Sequence, residues 1–311
     1  MTFRTGKNFL FLLLLTILPG LSCLTAAPAI PESVQSYVVV DTGKLLESTQ
    51  FSRFEKIWEN GVFFIDTLRN EAAKYHFELN DLQPYAVLVI NWEKHDDSIV
   101  LIEFPEPVKE RLLSTAAEMP DLFTVLNAPD ARIMVKDNVA SESEIDYVIA
   151  FLDGKQIIAG RESILDTWLK EYSGQQLKDT TIAGIAYCKL KLPEKSGSDF
   201  VDLMFGGVKD IEATLAADSE KIVFTSIWRG TKIKDIQAAL NAVYNLGIGM
   251  LFGGSPEVAA ELRMAPQITV IDNAVHFDLE ISDELFERIL QALLKNFEQQ
   301  KYMFEYDEEG W

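Results

Sequence analysis

Residues 145–172 read IDYVIAFLDGKQIIAGRESILDTWLKEY, a short hairpin that runs directly into a helix. Asp153-Gly154 supplies a turn between two apolar runs, because glycine tolerates the positive φ of tight hairpin turns and the Asp side chain can bond its own backbone. Strand period then gives way to helix period. Ile164, Leu165, Trp168, Leu169 and Tyr172 fall three and four apart, so one apolar stripe can lie back on the sheet that Tyr147, Ile149 and Phe151 help to build.

The same hairpin-then-helix order recurs at 85–117, 211–251 and 267–297. In the first, AVLVINW and SIVLIEF form two strands around the hydrophilic turn Glu93 to Asp97, and Pro107 sits in the first turn of a helix reaching about Glu118. In the second, Ile211–Ala216 and Lys221–Trp228 pair across 217–220, with Ile222, Phe224 and Trp228 on one face. Thr231 then caps a helix whose stripe uses Ile233, Ile236, Leu240, Val243, Tyr244, Gly247 and Leu251. Gly247 and Gly249 within it imply a close helix contact or a break. Gly253-Gly254 ends that helix, and Ser255-Pro256-Glu257 opens a short one closed by Pro266. In the third, QITVIDNAVHFDLEIS turns at Asp272-Asn273, and Ser282 caps a helix with the stripe Leu285, Phe286, Ile289, Leu290, Leu293, Leu294 and Phe297.

Outside these units, Ser36–Val40 reads as a first strand and 52–75 as a long amphipathic helix interrupted at Gly61. FTVL (123–126) and RIMV (132–135) read as short strands or as a loop crossing the sheet, and Ile182–Leu190 as a further strand. The polar run SGQQLKDT (173–180) is the best boundary. The expectation is an α+β protein of two similar halves, 30–175 and 180–300. Each half has a largely antiparallel sheet with helices packed on one face, and an acidic, aromatic tail follows at 301–311.

The chain's first residues have the three-part order of a secretory signal over 1–29: Arg4 and Lys7, the apolar run Phe9–Leu18, then small residues in TAAPA. Ten apolar residues are too few for a stable membrane anchor. Ser22 before Cys23 resembles a bacterial lipoprotein processing site, which makes Cys23 a lipidation candidate. Cys23 and Cys188 are the only cysteines, and an exported protein of 311 residues without a stapled framework fits a bacterial periplasm or envelope. Acidic residues number 48 against 28 basic, a formal net charge of −20. Such a field repels phosphate backbones and anionic lipids, which argues against nucleic-acid binding.

Chemistry is sparsely signalled. There are three histidines, His76, His95 and His276, none in a zinc motif. No GxSxG, Walker loop or dinucleotide fingerprint occurs, and Gly253-Gly254-Ser255 is ordinary loop grammar before a helix. His276, Asp278 and Glu280 project from one strand face and are the candidates for a polar site, although alternating polar residues are also what a strand with one solvated side must show. No cofactor and no metal follow from these residues.

The pattern PESVQSYVVVD, FSRFEKIW with a long helix, YVIAFLDGKQIIAG with its helix, and NAVHFDLEISDE before a final helix resembles a group of secreted or envelope proteins of unknown function from Gram-negative bacteria. The resemblance covers most of the mature chain, implies the two-half α+β architecture, and brings no assigned functional residue. The expectation for function is a non-enzymatic periplasmic or envelope protein that binds a protein partner, in contact with the membrane only if Cys23 is lipidated. The alternatives are a carrier of an apolar ligand such as a lipid, and a hydrolase with a site around His276, Asp278 and Glu280.

Overall fold

The computed structural model describes residues 28–49, 85–90, 98–126, 131–135, 147–174, 176–193, 207–217, 220–293 and 295. Outside them lie the signal segment with Cys23, the helix expected over 52–75, His76, the turn with His95, Leu294, Phe297 and the tail. The described residues divide into two compact units, one of the residues up to Glu47 and those from 85 to Leu190, the other of Ser48, Thr49 and the residues from Lys191 onward. Both are α+β, with antiparallel sheets.

In the first unit the strands are β1 (Ile30–Pro31), β2 (Tyr37–Asp41), β3 (Tyr85–Val89), β4 (Ile99–Glu103), β5 (Phe123–Leu126), β6 (Arg132–Val135), β7 (Tyr147–Phe151), β8 (Gln156–Arg161), β9 (Leu177–Lys178) and β10 (Ala186–Lys191). The helices are α1 (Thr42–Glu47), α2 (Lys109–Glu118) and α3 (Glu162–Gly174). The main sheet runs β10-β2-β3-β4-β8-β7-β6-β5, every neighbouring pair antiparallel. FTVL and RIMV are thus paired strands. β1 pairs with β9, so the polar run after α3 is tied back to the start of the unit.

Helices cover both faces of this sheet, which corrects the expectation of one covered face. Val100, Ile102, Ile149, Phe151 and Ile157 point to the side of α2, where Val108, Leu112 and Ala116 meet them. Leu101, Val148, Ala150 and Ile158 point to the other side, under Ile164, Leu165, Trp168 and Leu169 of α3. The reason lies in the strands themselves: β4 is buried at every position, and a strand apolar on both faces must be covered on both. Each large side chain so buried contributes about 1.5–3 kcal/mol.

The Asp153-Gly154 turn ties two of these elements together. Asp153 Oδ1 accepts from the backbone N–H of Lys155 at 2.6 Å and of Gln156 at 2.7 Å. Gly154 O in turn accepts from Val108 N at 2.9 Å, at the start of α2, and satisfies a donor that the helix leaves open there. The Lys109 ammonium lies 5.7 Å from the centre of the Phe151 ring. Pro107 precedes the cap residue Val108 and is not itself in the helix, because the Gly154 carbonyl starts α2 one residue later.

The second unit holds β11 (Val208–Ala217), β12 (Lys221–Gly230), α4 (Ile233–Phe252), α5 (Pro256–Met264), β13 (Gln267–Ile271), β14 (Ala274–Ser282) and a final helix α6 over 283–293. Its strand order is β13-β14-β12-β11, all antiparallel. Asp272 and Asn273 have φ of 47° and 59°, the left-handed pair of a two-residue type I′ turn. Leu285 N donates to Ser282 Oγ at 3.3 Å, so the expected cap of α6 is in place. Ile248 and Phe252 of α4, Val258 and Leu262 of α5 and Ile289 of α6 share one core.

Three local expectations are corrected in α4. Its cap position is Lys232, without a side-chain bond, one residue beyond Thr231, whose N–H donates to Gly207 O. The helix runs unbroken through Gly247 and Gly249, and a methyl group added at either would meet nothing within 4 Å. Its buried residues are Ile236, Leu240, Ile248 and Phe252, whereas Leu251 faces water.

Candidate functional site

The strand β14 carries the polar trio expected from the sequence. Its register with β12 sets His276 opposite Ile227, Asp278 opposite Thr225 and Glu280 opposite Val223, and alternation aims all three at one face. The other face, Val275, Phe277 and Leu279, is buried. Residues two apart on a strand are separated by roughly 7 Å, so the three form a line and do not converge on one atom. Glu280 is engaged by Lys221, its carboxylate 3.0 Å from the ammonium. Further along the same face Arg229 bridges Asp210 at 2.8 Å and Glu212 at 3.4 Å. Among the described residues no group of three His, Cys, Asp or Glu side chains could hold a metal ion.

A more secluded polar cluster lies in the first unit, at the end of β4. Glu103 is buried, and its carboxylate accepts a hydrogen bond from Gln156 Nε2, on the neighbouring strand at the paired position. Burial pushes the Glu103 carboxyl above the usual carboxylate range, and the nearby Asp153 charge pushes the same way against the Gln156 bond and the Lys155 charge. The Tyr172 phenol of α3 is also raised, first by burial and then by Glu103 and Asp153. Lys155 Nζ donates to Pro105 O, which holds this cation to the loop. A buried carboxyl and a half-buried phenol that both resist ionisation thus lie near one another at this end of the strand. The sequence signal for it was a lone glutamate closing the otherwise apolar strand SIVLIEF.

The third feature is apolar and exposed. On α4, Met250 is 78% exposed, and Leu246 and Leu251 are each 54% exposed. Residues 236–256 carry no charge, in a chain whose net charge is −20. The polar side chains of this helix are folded back on it: Asn241 Nδ2 donates to Gln237 O at 3.1 Å and Asn245 Nδ2 to Asn241 O at 2.8 Å. On the inner side Tyr244 donates its O–H to Leu262 O at 2.7 Å and packs edge-on to Phe277, their ring centres 5.3 Å apart. Burial pushes the Tyr244 phenol up to about 12. The helix is therefore anchored on one side and presents leucine, methionine and glycine to water on the other. No described helix is long and apolar enough to cross a membrane.

These elements define an α+β protein with antiparallel sheets. No protein-family profile matches the chain, and no curated protein does. Solved structures of a protein designated TP0453 are similar to it over most of both chains. Crystal form III aligns with a TM-score of 0.48 at 11% identity, covering 90% of this chain and 97% of that one. Crystal form I aligns at 0.43 with 11% identity, covering 90% and 96%, and crystal form IV at 0.41 with 10% identity over the same shares.

Proposed function

We propose that this chain is a non-enzymatic exported protein of the bacterial envelope that binds a protein partner through the outer face of α4. The observation that carries the reading is the uncharged, exposed run of Leu246, Met250 and Leu251 in so acidic a chain. Exposed apolar surface that is contiguous and free of charge is characteristic of interaction sites. The asparagine side chains already bonded to their own helix lower the number of polar groups that a partner would have to dehydrate. Export is supported by the signal-like residues 1–29, and lipidation of Cys23 would bring the protein to a membrane. The succession β3-β4-α2, β7-β8-α3, β11-β12-α4 and β13-β14-α6 supports construction from repeated hairpin-helix units in two similar halves.

The test is site-specific photo-crosslinking in a producing bacterium, with a photoreactive residue at 246 or 250 and a control at Glu110 on the exposed side of α2. A discrete adduct with another protein is expected from 246 and 250, competed by unlabelled protein and absent at 110. Met250→Glu should abolish it while leaving thermal stability unchanged. Absence of adducts at 246 and 250, or the same pattern from all three positions, refutes the reading.

A further inference from the structure

The start of the first unit is built into its core. Ile30 is fully buried and shares the α3 side of the sheet with Val39, Leu101, Val148 and Leu165. Its short strand β1 pairs with β9, Ile30 opposite Lys178 and Pro31 opposite Leu177. Glu32 N continues the ladder, donating to Gln176 O at 3.1 Å. Side chains fasten both ends of the segment. Thr180, 3% exposed, donates its hydroxyl to Pro28 O. The Lys178 ammonium donates to Val34 O at 2.6 Å and lies 4.7 Å from the centre of the Tyr37 ring. Residues 28–34 are thus a strap held by residues 176–180, far away in sequence. The signal-like order read over 1–29 ends inside this strap.

We infer that the leader is cut upstream of Pro28, so that the mature chain keeps the strap whole and does not begin at Ala29 or Ile30. The inference rests on the export reading above and fixes where that processing falls. TAAPA has small residues on both sides of Pro28, so composition alone does not choose among Ala26, Ala27 and Ala29. The strap does. Cuts after Ala26 or Ala27, and a cut before Cys23, all leave it intact.

Two costs oppose the later bonds. A cut after Pro28 or after Ala29 discards the carbonyl to which the buried Thr180 hydroxyl donates. A cut after Ala29 also turns the amide nitrogen of Ile30 into an α-amine, which with an ordinary pKa of about 8 is charged at neutral pH. Alternation from the Glu32–Gln176 bond makes Ile30 and Lys178 a bonded pair. The ladder therefore takes one of the three N–H groups of such an ammonium, and the apolar side chains around Ile30 accept from none of them. Burying a charge so poorly bonded is unfavourable.

The first test is the intact mass and terminal peptide of the chain made with its own leader in a Gram-negative bacterium. A cleaved chain that starts at or before Pro28 is expected, and an acyl mass on Cys23 would separate lipidation from simple cleavage. A start at Ala29 or beyond overturns this inference and leaves export standing. A chain that keeps its first residues overturns both. The second test compares two chains released from a fusion, one starting at Ala27 and the other at Ile30. The shorter chain should melt at least about 5 °C lower near pH 6.5, and the deficit should shrink as pH rises to 9. The buried amine is neutral when folded and protonated when unfolded below about pH 8, so the unfolded state holds the extra proton and stability rises with pH through that window. Glu32, Lys178, Asp179 and Lys189, the charged groups at this strand pair, are common to both chains. Loss of the Pro28 carbonyl alone would give a deficit independent of pH. Equal melting of the two chains, or a deficit that stays constant across the window, would overturn the proposal.

Discussion

Replacing Asp153 with alanine tests whether the hairpin turn holds more than itself. The substitution removes the acceptor of two backbone bonds, from Lys155 N at 2.6 Å and Gln156 N at 2.7 Å. A hydrogen bond contributes about 0.5–1.5 kcal/mol net. These two are solvent-exposed, so the pair is expected to be worth about 1–2 kcal/mol. For a unit of this size each kcal/mol moves the melting temperature by about 2–4 °C, which predicts a fall of roughly 2–8 °C. Asp153→Asn keeps the accepting oxygen and should recover most of it. Trp168 on α3, packed on the sheet beside this hairpin, provides the fluorescence signal for thermal unfolding. The decisive readout is amide exchange, because Gly154 O accepts from Val108 N and bonds less closely to Lys109 N at 3.4 Å. Loosening the turn should raise exchange at the first turn of α2, far away in sequence. A D153A variant melting within about 1 °C of wild type, or one that melts early without faster exchange at Val108, would refute the coupling.

Two further outcomes follow from burial. Leu165 is fully buried between α3 and the sheet, so Leu165→Ala should cost about 3–5 kcal/mol in urea denaturation, at the upper end of such truncations because strands cannot easily collapse into the space. A loss under about 1 kcal/mol would contradict the packing described. Burial holds the Tyr244 phenol up at about 12, above its ordinary value of 10. A raised folded value means that its contribution is whole below the unfolded value near 10 and is lost as pH rises through about 12. The second unit should therefore lose stability across that alkaline window, and Tyr244→Phe should flatten the loss. Ionisation of Tyr244 alongside ordinary tyrosines in a phenolate absorbance titration would contradict it.

Several elements were legible because they are local. The Asp153 side chain bonding its own backbone, the paired positive φ of Asp272-Asn273 and the Ser282 hydroxyl over α6 each follow from neighbours in the chain. The polar trio on β14 was legible in the same way: alternation alone sets His276, Asp278 and Glu280 on one face, and the structure leaves them in a line. Glu103 is not legible in this way. Its environment is assembled from Gln156 and Tyr172, more than fifty residues away, and one glutamate ending an apolar strand reads equally well as an exposed terminus.

The phase of each strand and the turns between them are local matters, since they depend on side-chain alternation and on the φ values each residue tolerates. What lies over each face depends on contacts between distant segments. β4 is apolar at every position, so its pattern is the same whether one side or both are covered, and α2 and α3 settle the matter by packing on opposite sides. α4 shows the same physics for a helix: its first half follows the stripe read from the sequence, with Ile236 and Leu240 buried, but without a charge between 236 and 256 the pattern does not settle which side of its second half turns inward. Contact with α5 and α6 buries Ile248 and Phe252 and leaves Leu246, Met250 and Leu251 in water.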